Sequence, residues 1–171
     1  RAQPAELGDR EDLRSIPLVT IDGADARDFD DAVFAEPDSD KKNEGGWRII
    51  VAIADVAWYV HPDDDLDSSA RERGNSAYFP DRVVPMLPEK LSNDLCSLRP
   101  GEDRACIAVD MSINKAGNLL SHRFFRGLMR SVARLTYEQV QAASDGIPDD
   151  KTRHLPNTVI EPLLGAYPAL A

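Results

Sequence analysis

Five aspartates, Asp22, Asp25, Asp28, Asp30 and Asp31, fall within ten residues, between the apolar stretches Leu18-Val19-Thr20-Ile21 and Ala32-Val33-Phe34. Carboxylates crowded into a folded element repel one another and raise each other's pKa, so a cation is needed to compensate them. The geometric constraint is severe. In an extended strand Asp28 and Asp30 share one face and Asp31 takes the other, whereas in a helical turn Asp28 and Asp31 are neighbours. Only an irregular backbone converges Asp22, Asp28, Asp30 and Asp31. Gly23, Ala24 and Ala26 allow a tight loop, with Asp22 at a strand end facing the other three.

A hard cation, Mg²⁺ above all, takes oxygen ligands, keeps several waters and works against phosphate. Four carboxylates can hold one or two such ions. In-line phosphoryl transfer requires this arrangement, in which metal generates hydroxide and stabilises the attacking and leaving oxygens. With a single metal, one acid is left to orient water, and the spacing does not choose between the two. The Asp-x-Asp-x-Asp-Gly order of a calcium loop is absent, which argues against an EF-hand. A solvated acidic turn is the plainer reading of most aspartate-rich stretches; the flanking strands weigh against it here.

The remaining pattern predicts an α+β domain on a mixed, largely antiparallel sheet with flanking helices. Residues 1–15 are polar and without period, and read as a linker or arm. Residues 18–21 and 29–35 are strand-like, and a polar loop through Gly45-Gly46 implies a hairpin. Residues 47–54 are nearly continuously apolar and β-branched, as suits a central strand buried on both faces. Residues 66–78 predict a helix, capped by Asp65 or Asp67, with Pro80 beyond its end. A second hairpin follows: residues 105–113 alternate, with Ala105, Ile107, Val109, Met111 and Ile113 on one face, and Asn114-Lys115-Ala116-Gly117 turns into residues 119–126. If the extended pattern continues to Leu135, His122, Arg126, Arg130 and Arg134 share a face. Thr136-x-x-Gln139 and Thr158-x-x-Glu161 are capping-box patterns that open helices near 137–144 and 159–167, and Pro168 should end or kink the second. Trp47 and Trp58 are assigned to the core.

The 171 residues are 42% hydrophobic, enough for a real core. The chain opens on Arg1 and stops in an apolar stretch, and reads as a segment of a longer polypeptide. Its longest apolar run, residues 49–60, is interrupted by Asp55, so neither a signal peptide nor a membrane span is expected. Cys96 and Cys106 lack metal or redox spacing and lie in apolar company. They read as reduced, buried thiols of a cytoplasmic protein. The net charge of −10 argues against a nucleic-acid partner, but its distribution matters more. Residues 20–40 hold eight acids, whereas residues 111–137 hold Lys115, Arg123, Arg126, Arg130 and Arg134 and no acid. An acidic metal site beside a basic strip suits phosphate handling, although a solvated basic face explains the strip equally well.

The string Thr20-Ile21-Asp22-Gly23-Ala24-Asp25-Ala26-Arg27-Asp28-Phe29-Asp30-Asp31-Ala32-Val33 resembles the signature of the ribonuclease II and ribonuclease R catalytic domain, the RNB domain. Further matching blocks follow in order: Val51-Ala52-Ile53-Ala54-Asp55-Val56, Arg73-Gly74-Asn75-Ser76-Ala77-Tyr78-Phe79-Pro80, Pro85-Met86-Leu87-Pro88 and Leu91-Ser92-Asn93-Asp94-Leu95-Cys96-Ser97-Leu98. Several ordered blocks are far more specific than a lone motif, and they look nearer the ribonuclease R branch. The resemblance implies that residues 16–171 are the N-terminal part of an RNB-type catalytic domain. It further implies a Mg²⁺-dependent, processive 3′-to-5′ exoribonuclease that takes the 3′ end of single-stranded RNA and releases nucleoside 5′-monophosphates. By the same mapping Asp22, Asp28 and Asp31 hold metal, Asp30 is the indispensable catalytic carboxylate, and Tyr78 stacks on a base near the RNA end. A core tyrosine after a helix is the plainer reading of Tyr78, and a turn residue that of His61. Proteins of RNA decay are the partners such a chain would have. The family's domain continues well beyond this stretch and supplies an arginine near the scissile phosphate. Competing readings are a non-catalytic RNA-binding or scaffold relative, a fragment inactive without its C-terminal half, and a metal-binding structural domain.

Overall fold

The computed structural model describes residues 3–26, 28–155 and 159–171. Seven strands form one sheet: β1 (Glu11–Asp12), β2 (Val19–Asp22), β3 (Asp31–Pro37), β4 (Trp47–Ala54), β7 (Asp103–Ile113), β8 (Leu119–Arg130) and β9 (Ala133–Thr136). Their spatial order is β1-β8-β7-β4-β3-β2-β9, with β5 (Ala77–Tyr78) and β6 (Val83–Val84) as a separate hairpin. Only the outer pairs β1–β8 and β2–β9 are parallel, so the sheet is mixed and largely antiparallel. The helices are α1 (Asp65–Arg73), α2 (Tyr137–Ser144) and α3 (Glu161–Leu170). No helix among the described residues is long and apolar enough to cross a membrane.

The apolar run of β4 places it at the centre, registered along its length with β3 and β7. On one face Ala32, Phe34, Ile50, Ala52, Cys106 and Ala108 pack against Leu91, Leu95, Cys96 and Leu98 to form the main core. On the other, Ala35, Ile49 and Ile113 meet Ala166 of α3, with Trp47 alongside. At the β2–β9 edge, Val19, Leu135, Val159 and Ile160 form a third cluster. β4 is not buried on both faces throughout, because α3 covers only part of the second: Ile53 is 47% exposed. Both thiols are free and buried, and burial pushes Cys96 up to about 11 and Cys106 up to about 12.

Several sequence expectations need correction. The helix stops at Arg73 because Gly74, at φ 76°, closes it with an N–H bond to the Ala70 carbonyl, and its cap is Asp64, which accepts from Asp67 N. Ala77 and Tyr78 instead pair with Val84 and Val83. Of the basic strip, His122, Arg126 and Arg130 do share a face of β8, in register with Met111, Ile107 and Asp103. Arg134 does not belong to that strand, because after Ser131 and Val132 the chain enters β9, which lies parallel to β2. Trp58 sits in a 3-10 turn, 45% exposed, with the Arg10 guanidinium over its ring, and is not a core residue. Pro168 lies inside α3 without ending it; it falls in the last turn, where few backbone bonds remain to be lost. The capping box at Thr136 forms with both reciprocal bonds and opens α2. Thr158 of the second box lies outside the described residues, and α3 begins after Ile160 without a side-chain cap.

The segment read as a linker or arm lies against the sheet over part of its length. Leu13 is buried and donates its N–H to the Leu128 carbonyl at 2.8 Å. Gly127 permits this approach, since a Cβ there would stand 2.8 Å from Leu13 Cδ1. Arg10 extends inward, its Nη2 2.8 Å from Asp55 Oδ2, with side-chain exposures of 6% and 0%. Breaking a buried pair strands a charge. Arg10→Ala should therefore destabilise the fold by about 3 kcal/mol, near the lower end of such losses because Arg126 remains 3.6 Å from Asp55. Replacing both partners with apolar residues should recover most of the loss, as read from urea unfolding midpoints.

Candidate active site

The acidic loop is irregular but pinned along its length. β2 ends at Asp22, which lies in register with Thr136 of β9. Ala26 N–H then donates to the Gly23 carbonyl at 3.1 Å, closing a turn. Phe29 is buried; its N–H donates to Ser97 Oγ at 3.2 Å and its carbonyl accepts from Leu98 N at 2.6 Å. The Asp30 carbonyl accepts from Ala54 N at 2.8 Å, and β3 starts at Asp31 opposite Ile53. From the other side, Arg134 Nη2 donates to the Ala26 carbonyl at 2.8 Å while its guanidinium stacks 4.0 Å from the Phe29 ring centroid. One arginine thus grips the loop at two points.

The pinned backbone keeps four carboxylates within each other's field. Burial raises the Asp22 pKa, the charges of Asp31, Asp30 and Asp28 raise it further, and Arg134 opposes them. Burial, then Asp30, raises Asp31. Because the folded protein holds these two protons more tightly than the unfolded chain, their stabilising contribution is full below the ordinary carboxylate range. It is lost as pH rises through the raised values. Asp22 Oδ2 is buried without a hydrogen-bond partner. Asp30 is exposed, and Asp28 and Asp31 are half-buried. Among the described residues no three acidic, histidine or cysteine side chains converge tightly enough to cage a metal ion. The donor set is nonetheless all carboxylate oxygen, one atom of it orphaned, and it suits a hard divalent cation better than any soft one.

Asp25 and Asp28 also line a cleft of about 530 Å³, whose opposite wall is the β5–β6 hairpin with Tyr78, Phe79 and Arg82, and Asn93 beyond it. Tyr78 is 69% exposed, which excludes the core-tyrosine reading. A second depression of similar volume, beside Lys90, Asp94 and Arg104, lies away from the aspartates. Its Arg104 is committed to Glu102 and the Ser97 carbonyl, so that hollow is structural. His61 is an exposed turn residue whose N–H donates to Asp64 Oδ2 at 3.0 Å. Sequence reasoning missed Arg134 as the loop's clamp, since it was grouped with the β8 arginines. It also missed Ser97, Phe79 and Arg82, which lay in or beside the matching blocks without a charge pattern to single them out.

Comparison with known proteins agrees with this arrangement. The family profile of the RNB domain matches residues 10–167. Ribonuclease R of Vibrio parahaemolyticus is 55% identical over 154 residues, covering 90% of this chain and 18% of the relative. That of Escherichia coli is 53% identical over 147 residues, 86% and 18% respectively. The chain therefore spans about a fifth of the length of these relatives. Mycoplasma genitalium RNase R in complex with ribose-methylated single-stranded RNA superposes with a TM-score of 0.82 at 33% identity, over 92% of this chain and 23% of that one. The yeast pseudonuclease Ssd1 shares the fold, with a TM-score of 0.76 at 17% identity over 98% of this chain and 20% of that one. With the family profile matched over residues 10–167 and relatives more than 50% identical across most of its length, this chain belongs to the RNB-domain family.

Proposed function

We propose that this chain is the N-terminal part of the catalytic domain of a Mg²⁺-dependent, processive 3′-to-5′ exoribonuclease that degrades single-stranded RNA to nucleoside 5′-monophosphates in the cytoplasm. Residues 16–171 belong to that domain, and the arm of residues 1–15 is anchored to its sheet through Arg10 to Leu13. The observation that carries the reading is the pinned loop, which holds Asp22, Asp28, Asp30 and Asp31 in mutual repulsion and presents Asp28 to a cleft bearing an exposed tyrosine. Ribonuclease R relatives and a structural neighbour bound to single-stranded RNA support it. The chain covers about a fifth of those relatives, so the activity is proposed for the whole protein that contains it. Proteins of RNA decay are its proposed partners.

Asp22, Asp28 and Asp31 would hold the ion. Bound Mg²⁺ supplies charge neutralisation at phosphate and a water of lowered pKa. Asp30, exposed and next to those residues in sequence, would orient the attacking water and accept its proton. Tyr78 offers a flat, sequence-tolerant face for the terminal base. Ser97 and Arg134 keep the loop in shape by holding Phe29 and Ala26. The buried free thiols are in keeping with a reducing compartment.

The test is shortening of 5′-labelled single-stranded RNA by the intact protein. Stepwise loss from the 3′ end should need Mg²⁺, stop with EDTA, and fall by about 10³-fold in Asp30→Asn with RNA binding retained. No cleavage by a folded, RNA-binding wild type would favour the scaffold reading. Tyr78→Ala should weaken the hold on the terminal nucleotides roughly tenfold or more, since one stacked base contributes about 1–3 kcal/mol. It should also lengthen the final product, as resolved on a sequencing gel.

A further inference from the structure

Apart from the catalytic loop, the cleft poses an electrostatic problem. Asp25, Asp28, Asp81 and Glu89 line it, and Arg82 is the one basic side chain among its described lining residues. A polyanion entering four carboxylates is repelled unless a cation meets it at close range. The arginines of the sequence's basic strip do not serve, because they are committed elsewhere. Arg123 pairs with Glu11 and Arg130 with Asp103, Arg126 lies beside Asp55, and Arg134 clamps Ala26.

Arg82 is differently placed. The β5–β6 turn closes with Phe79 N–H donating to the Arg82 carbonyl at 2.8 Å, which sets the two side chains together. The guanidinium lies 4.9 Å from the Phe79 ring centroid. Stacking fixes its plane and leaves its N–H edge available for an oxyanion. Its only ion pair among the described residues is with the neighbouring Asp81 at 2.9 Å, with side-chain exposures of 62% and 70%. A pair so exposed contributes little and gives way readily to a better acceptor. We infer that Arg82 binds a backbone phosphate of the strand whose 3′ end stacks on Tyr78, with Phe79 as the platform that aims it. The inference rests on the RNA reading above and adds the residue that makes an acidic cleft receptive to RNA.

The test uses the intact polypeptide that contains this chain, in an Asp30→Asn background so that RNA survives, with 5′-fluorescein-labelled oligoadenylate as probe. Binding is measured by anisotropy across a salt series. Each phosphate contact to a single strand contributes about 0.7 to the slope of log K against log salt. Arg82→Gln should reduce that slope by about 0.7 and weaken binding about tenfold at low salt. Arg82→Lys should restore the slope, since charge is kept, while Lys115→Gln, on the exposed turn between β7 and β8, should leave it at the wild-type value. An Arg82→Gln slope equal to wild type, or an equal drop in Lys115→Gln, would overturn the inference while leaving the nuclease reading intact. A parent that shows no salt-dependent binding of the probe would remove both together.

Discussion

The register of β3 against β4 is what the acidic loop depends on. Alternation along β3 sends Ala32 and Phe34 into the main core and Asp31 to the opposite face, in one row with Ile53 and Ile107. A slip of one residue would drive the Asp31 carboxylate into the apolar core and turn Ala32 outward. The penalty for burying an unpaired charge is large, and it makes the register effectively single-valued. The bond from Ala54 N–H to the Asp30 carbonyl continues the ladder one residue past the strand, so Asp30 inherits the same precision. Hydrophobic burial several residues away thus decides where the acids point.

The loop itself is stabilised against its own charge by neutral and cationic contacts rather than by spacing its acids apart. Phe29 is the keystone: its ring is buried beneath the Arg134 guanidinium, its N–H is held by Ser97 and its carbonyl by Leu98. Ser97 and Leu98 follow the helical turn Leu91–Leu95, whose leucines belong to the main core. Core packing, turn and loop are therefore one mechanical unit. Arg134 also lowers the Asp22 pKa against four opposing influences, burial and three carboxylates. It is a resident cation that offsets part of the cluster's repulsion while leaving the Asp22 pKa raised overall.

Much of this was legible in the chain. The strand-loop-strand around the aspartates, both hairpins of the sheet and the Thr136 cap follow from alternation, turn residues and capping chemistry, which are local. The sites that were not legible depend on contacts far apart in sequence. Arg134 meets Ala26 only because Ser131 and Val132 carry the chain out of β8 into a parallel pairing of β9 with β2, and no periodicity signals that transfer. Arg10 was hidden in a polar segment, although its partner Asp55 stood out as the one charge within an apolar run. The end of α1 has a local cause: Gly74 is a helix stop, so the helix expected over residues 66–78 ends at Arg73.

Fold alone does not settle chemistry, since a pseudonuclease shares the architecture at 17% identity. Whether such a fold carries chemistry depends on its side chains and charge. A net charge of −10 gives no long-range attraction for RNA, and most arginines on the sheet are spent on ion pairs within the fold. What remains near the aspartates is short-ranged: two exposed aromatic rings, Tyr78 and Phe79, and a single stacked guanidinium. Stacking is indifferent to salt and to base identity, whereas one phosphate contact is neither strong nor selective. On the proposed reading, a grip built this way would hold a strand end without recognising its sequence and let it advance after each cut, because no single contact is costly to break. For a processive enzyme, which keeps its strand from step to step, weak and repeated holds in an acidic cleft would let the strand slide more freely than a strongly basic cleft would.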